Sequence, residues 1–188
     1  MLRQAVAATI LAASLLCGCA TSNAPSGFHR GASGQLVENM PAVQTDKFSP
    51  QITVVGLSDF ENPFGGIAKK WFIRSFIDKT TGDVSNQLYV WITYAGGGWN
   101  FFDAASDDTA SPHAVDVVDR SVDNCGEILC SYTEDIVIDL PSSLLASRPN
   151  GFEMKVSARS GASIILNVSR EMVLKQLKVI AENIPPKA

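Results

Sequence analysis

Histidine is almost missing from this chain, with only His29 and His113 in 188 residues. So few imidazoles leave no His-based metal set and little choice of a general base. No Gly-x-Ser-x-Gly elbow is present either, so a serine-hydrolase constellation is not expected. The chain has four cysteines, and no second pair stands near Cys125 and Cys130 to complete a zinc site. Neither Gly96-Gly97-Gly98 nor Gly31 to Gly34 carries phosphate-loop or dinucleotide chemistry, because the Lys-Ser/Thr and the strand context are missing. Asp103, Asp107 and Asp108 lack the spacing and distal Glu of a calcium hand. Lysine and arginine number 15 against 19 acidic residues, a net charge of −4, which gives no nucleic-acid footprint. Repeats and heptads are also missing, and no second apolar run follows the first. No cofactor and no metal are expected.

What is present begins at the N-terminus. Arg3 supplies a positive end, Ala5 to Leu16 is an uncharged apolar run, and Leu16-Cys17-Gly18-Cys19 follows. This is the layout of a secretory signal, too short to span a membrane. Its end resembles the lipobox of bacterial lipoproteins, whose cysteine takes a diacylglyceryl group and becomes the new N-terminus. Gly18 puts a small residue before Cys19, whereas Cys17 follows the bulky Leu16, so the lipidated residue is Cys19. Ala20 stands where an Asp usually signals inner-membrane retention in such proteins. The resemblance therefore implies an outer-membrane lipoprotein facing the periplasm, held by acyl chains worth about 0.8 kcal/mol per buried CH₂.

The remaining chain, about 170 residues, is enough for one domain with a sizeable core. Residues 1–18 read as the signal and 19–50, rich in Ser, Gly, Pro and Asn, as a flexible tether. Residues 51–188 read as a single β-rich periplasmic domain. Cys125 and Cys130 are the only cysteines left to it, and in an oxidising compartment they are expected to form a disulfide. Short alternating segments separated by turn signals give about eight strands. They include Gln51–Leu57, Lys70–Asp78, Leu88–Tyr94, Trp99–Asp103, His113–Arg120 and Ser131–Leu140. Gly151–Arg159 and Ala162–Val168 close a hairpin at Ser160-Gly161. Ser169 is placed to cap a helix to Asn183, whose apolar face is Val173, Leu177, Ile180 and Ile184. The expected fold is mainly β: an antiparallel β-sandwich-like domain with a C-terminal α-helix.

The candidate binding residues cluster in Leu88–Asp103. With a loop at Ala95–Gly98, a hairpin would set Tyr94 opposite Trp99 and Trp91 opposite Phe102. Such a hairpin reads either as core, buried on both faces, or as an aromatic platform in which Tyr89, Trp91, Tyr94 and Trp99 meet a glycan or an apolar chain. No catalytic residue is assigned. Between Asp103 and Asp139 lie ten acidic residues against Arg120 alone. Glu134 and Asp135 must point to opposite faces of a strand, so they cannot share a proton.

The segments Tyr94–Ala105, Asp119–Asp123 and Cys130–Glu134 resemble a group of uncharacterised proteobacterial outer-membrane lipoproteins. That resemblance favours a non-enzymatic envelope role. The expected function is an interaction or ligand-binding module, reaching the membrane through its lipid and meeting an envelope protein or glycan. The alternative is a carboxylate-dependent hydrolase of envelope polymers. Convergence of carboxylates in a cleft would favour the enzyme, and their dispersal the module.

Overall fold

Residues 84–96 hold the strongest alternation in the chain: Leu88, Val90, Ile92 and Tyr94 are buried, while Tyr89, Trp91 and Thr93 are partly open. Strands of this kind need a partner layer on one face only. The computed structural model, which describes residues 29–30, 36–37, 40–63 and 66–186, shows that layer. Residues 1–18 and Cys19 lie outside the described residues.

The elements are β1 (His29–Arg30), β2 (Leu36–Val37), β3 (Ala42–Thr45), β4 (Gln51–Glu61), β5 (Ala68–Asp78), β6 (Val84–Gly96) and β7 (Phe102–Asp107). They continue with β8 (Pro112–His113), β9 (Val115–Cys125), β10 (Cys130–Leu140), α1 (Leu144–Ser147), β11 (Gly151–Ala158), β12 (Ser163–Ser169) and α2 (Arg170–Asn183). β1 and β2 form a two-residue ladder. The other ten strands make two antiparallel sheets, a six-stranded one ordered β3-β4-β5-β6-β10-β9 and a four-stranded one ordered β12-β11-β7-β8.

The smaller sheet packs over β5, β6 and β10. Trp71, Leu88, Val90, Ile92 and Ile136 meet Phe102, Met154, Val156 and Leu166 there. It leaves β4 and the end of β5 uncovered, and α2 fills that gap with Val179 and Ile180 on Val54 and Ile77. Ser169 caps α2 by accepting from the Met172 N–H, and Glu171 sits in its first turn. The helix buries Met172, Val173, Gln176, Val179 and Ile180 and packs Leu177 against the core, so three of the four residues read as its apolar face turn inward and Ile184 is exposed. A polar chain explains Gln176: its Nε2 donates to the Val54 carbonyl and to Ser75 Oγ, and Ser75 donates to Asn86 Oδ1. Gly56 makes room for it, since a Cβ there would stand 2.5 Å from Gln176 Oε1 and 2.8 Å from the Ile73 carbonyl.

The hairpin and two strand boundaries differ from those expected. The hairpin over Leu88–Asp103 does not form. β6 instead pairs with β5 and β10, and the chain crosses at residues 97–101 into the other sheet, where β7 pairs with β11. The strand after the glycines therefore starts at Phe102 rather than Trp99. The first strand runs on to Glu61 through a register shift between Val55 and Ser58, and β3 adds to its edge from within the stretch assigned to the tether.

Candidate functional site

The crossover is fixed by one carboxylate. Glu134 of β10 is fully buried on the inner face. Its Oε1 accepts from Tyr94 Oη at 2.7 Å and from the Phe101 N–H at 3.0 Å. Oε2 accepts from the Phe102 N–H at 3.1 Å and from Arg120 Nε at 2.9 Å. Tyr94 Oη in turn accepts from the Asn100 N–H. Phe101 takes a positive φ of 58° at this corner, and the Arg120 guanidinium lies 4.9 Å above its ring. A buried carboxylate survives only when paired and hydrogen-bonded. All four of its donors come from the chain itself. Its role is to tie the two sheets together. Burial, followed by the bond to Glu134 and its charge, pushes the Tyr94 hydroxyl above its ordinary range, despite the opposing Asn100 N–H.

Several of the remaining acidic residues of 103–139 are taken up in pairing. Asp103 pairs with Arg159, Asp108 with Arg148, and Asp139 accepts from Gln87. Asp107 closes its own turn, accepting from Thr109 and the Ser111 N–H, and lies 3.2 Å from His113 Nε2. His113, a candidate base by type, is thereby used in pairing. Asp116, Asp119, Asp123, Asp135 and Asp139 lie by register on one surface, the outer face of β9 and β10. Asp119 stands opposite Asp135 in register, and Asp123 accepts from Thr133. Burial, then the charges of Asp119 and Asp123, raise the Asp135 carboxyl, although the bond from Tyr89 works the other way. Among the described residues no group of three His, Cys, Asp or Glu side chains is placed to hold a metal ion.

That outer face is the unusual surface of the molecule. The four-stranded sheet and α2 both lie on the other side. Among the described residues no element packs against this one. Register places Phe60, Lys70, Trp91, Asp135 and Asp119 in one row across five strands. The next row holds Phe72 stacked on Tyr89, with centroids 5.0 Å apart, and Arg74 lies over both Phe76 and Tyr89. Tyr89 donates to Asp135 at 2.7 Å, and burial together with that bond pushes its hydroxyl up to about 12.

The four aromatic residues read as one platform thus fall on two surfaces. Tyr89 and Trp91 belong to the open face. Tyr94 is buried at the Glu134 tie. Trp99 sits within the crossover, edge-on to Tyr132 with centroids 4.8 Å apart, beside a cavity of about 510 Å³. Spacing alone cannot show that split, because it depends on the chain changing sheets after Gly98. Sequence reasoning missed Glu134, whose only signal was inward parity within a strand of apolar neighbours. The Cys125–Cys130 disulfide closes the β9–β10 hairpin, which carries the acidic edge.

No family model, curated protein or solved structure matches this chain. Among the described residues no helix is long and apolar enough to cross a membrane.

Proposed function

We propose that the protein is an outer-membrane lipoprotein, anchored through lipid on Cys19 and facing the periplasm. In this reading it acts as a non-enzymatic interaction or ligand-binding module of the cell envelope. The observation that carries it is the outer face of the six-stranded sheet, where Tyr89, Phe72 and Arg74 form a cation–aromatic array beside Trp91 and, among the described residues, no other element packs on it. Aromatic faces next to a guanidinium suit a polymer or protein partner that stacks and hydrogen-bonds. The saturation of Glu134 supports the non-enzymatic part. The test pairs two measurements. Trp91→Ala should keep the melting temperature and lose co-sedimentation with isolated envelope polymer and crosslinking to envelope proteins. Cys19→Ala should turn a protein released only by detergent into one that needs none. Unchanged capture by the Trp91 variant would overturn the surface, and unchanged extraction would overturn the anchor.

A second reading, carboxylate-dependent hydrolysis of envelope polymers, has one observation in its favour: Asp119 faces Asp135, whose carboxyl is raised. Release of reducing ends from envelope polysaccharide, abolished by Asp135→Asn, would establish it in place of the first.

A further inference from the structure

The triple glycine is not explained by the fold. Gly97 and Gly98 are exposed, neither takes a left-handed φ, and a Cβ on either would meet nothing within 4 Å. Any residue would fit the chain there, so neither backbone geometry nor internal packing demands glycine. What these glycines border is the cavity of about 510 Å³, together with Trp99, Asn100, Ile67 and Ser160. That size lies within the range of small-ligand sites, roughly 300–1,000 Å³.

The lining defines the ligand class. Among the described residues no Asp, Glu, Lys, Arg or His borders the cavity. Its one ionisable group, the Tyr94 hydroxyl, is already committed to Glu134 and the Asn100 N–H. Asn100 Oδ1 accepts from Ser160 Oγ, an arrangement that leaves the amide Nδ2 hydrogens directed elsewhere. No backbone bond among the described residues uses the N–H of Gly97, Gly98 or Trp99. The site therefore combines an indole wall, a run of unused backbone donors, a carboxamide and no charge. A phosphate or carboxylate would find no cation to offset it, and a purely apolar chain would leave the donors unpaired. A pyranose ring meets both needs, with its C–H face on the indole and its hydroxyl oxygens on the donors.

We infer that the cavity between the Gly96–Gly98 loop and Ser160 binds a neutral sugar ring of a glycan, with Trp99 as its stacking wall and the glycines keeping the backbone open to it. This rests on the reading of the domain as a ligand-binding module, but it uses a different surface from Tyr89 and Trp91.

The test is an amide NMR titration of the full chain in detergent, with chitotetraose and maltotetraose as probes. Saturable shifts at Gly97–Asn100 are expected with at least one of them. Gly97→Leu, whose Cβ meets nothing within 4 Å and whose branched end adds bulk at the cavity rim, should keep the melting temperature and weaken binding about tenfold or more. Trp91→Ala should leave this binding unchanged. Absence of saturable shifts with both sugars, or undiminished binding in Gly97→Leu, overturns the inference. Shifts confined to the strands around Tyr89 and Trp91 overturn it while leaving the module reading intact.

Discussion

Tyr94 Oη donates to Glu134 Oε1 at 2.7 Å, joining β6 to the neighbouring strand β10 at the point where the chain leaves for the other sheet. Both side chains point into the sandwich, and the same carboxylate receives the first two N–H groups of the incoming segment. The sheets are thus linked by a polar contact inside an apolar core. Glu134→Ala would strand a hydroxyl, two amides and the Arg120 head without their acceptor. Breaking such a pair from one side costs about 3–5 kcal/mol, to be read from urea unfolding. Glu134→Leu combined with Arg120→Leu should recover part of that loss, because no unpaired charge then remains.

Asp107 should govern the acid limb of stability. Burial alone pushes its carboxyl up, but the bonds from Thr109, His113 and the Ser111 N–H together hold it well below the ordinary value of 3.8. A depressed folded value means the stabilisation is complete above the unfolded pKa and is lost as pH falls through the folded one. Thermal melts of the wild type should therefore lose stability progressively below about pH 4, where the unfolded chain's Asp takes up its proton while the folded one still resists. Asp107→Asn should be less stable at neutral pH and flatter towards acid.

Asp135 should act with the opposite sign. Its carboxyl is raised, so the penalty is present above the folded pKa and relieved as pH falls through it. Asp135→Asn keeps an acceptor for the Tyr89 hydroxyl and removes the repulsion from Asp119 and Asp123. A higher melting temperature at neutral pH is expected, with the gain shrinking in acid.

Gly56→Ala should destabilise by about 1–3 kcal/mol through overpacking, measured by denaturant unfolding. The added methyl meets Gln176 Oε1 and the Ile73 carbonyl. Pairing it with Gln176→Ala removes the first clash and not the second, so rescue should be partial.

Much of this architecture was readable from alternation and capping. Trp71, Ile73, Ser75 and Ile77 turn inward as their spacing requires, and Ser169 caps the last helix. The disulfide followed from the cysteine count and from the oxidising compartment that the lipobox resemblance implies. What the chain concealed were the consequences of long-range contact. Nothing local reveals that residues after Gly98 join another sheet, because the decisive acceptor, Glu134, lies more than thirty residues later. Gln176 shows the same limit: a polar residue on an apolar helix face makes sense only once Ser75 and Val54 are beside it. The separation of Trp91 from Trp99 onto different surfaces follows from that same crossover.

β3 holds the edge of the large sheet by four residue pairs, from Ala42 with Val55 to Thr45 with Ile52. Tension on the segment ahead of it would meet this short ladder first and peel it from the Ala42 end, yielding about 13 Å of slack at full extension. The turn behind is pinned by Lys79, whose ammonium donates to the carbonyls of Asp46 and Ser49. Under the proposed lipid anchor, a pull on the domain would load this four-pair ladder first, with the Lys79 contacts to the turn next in line.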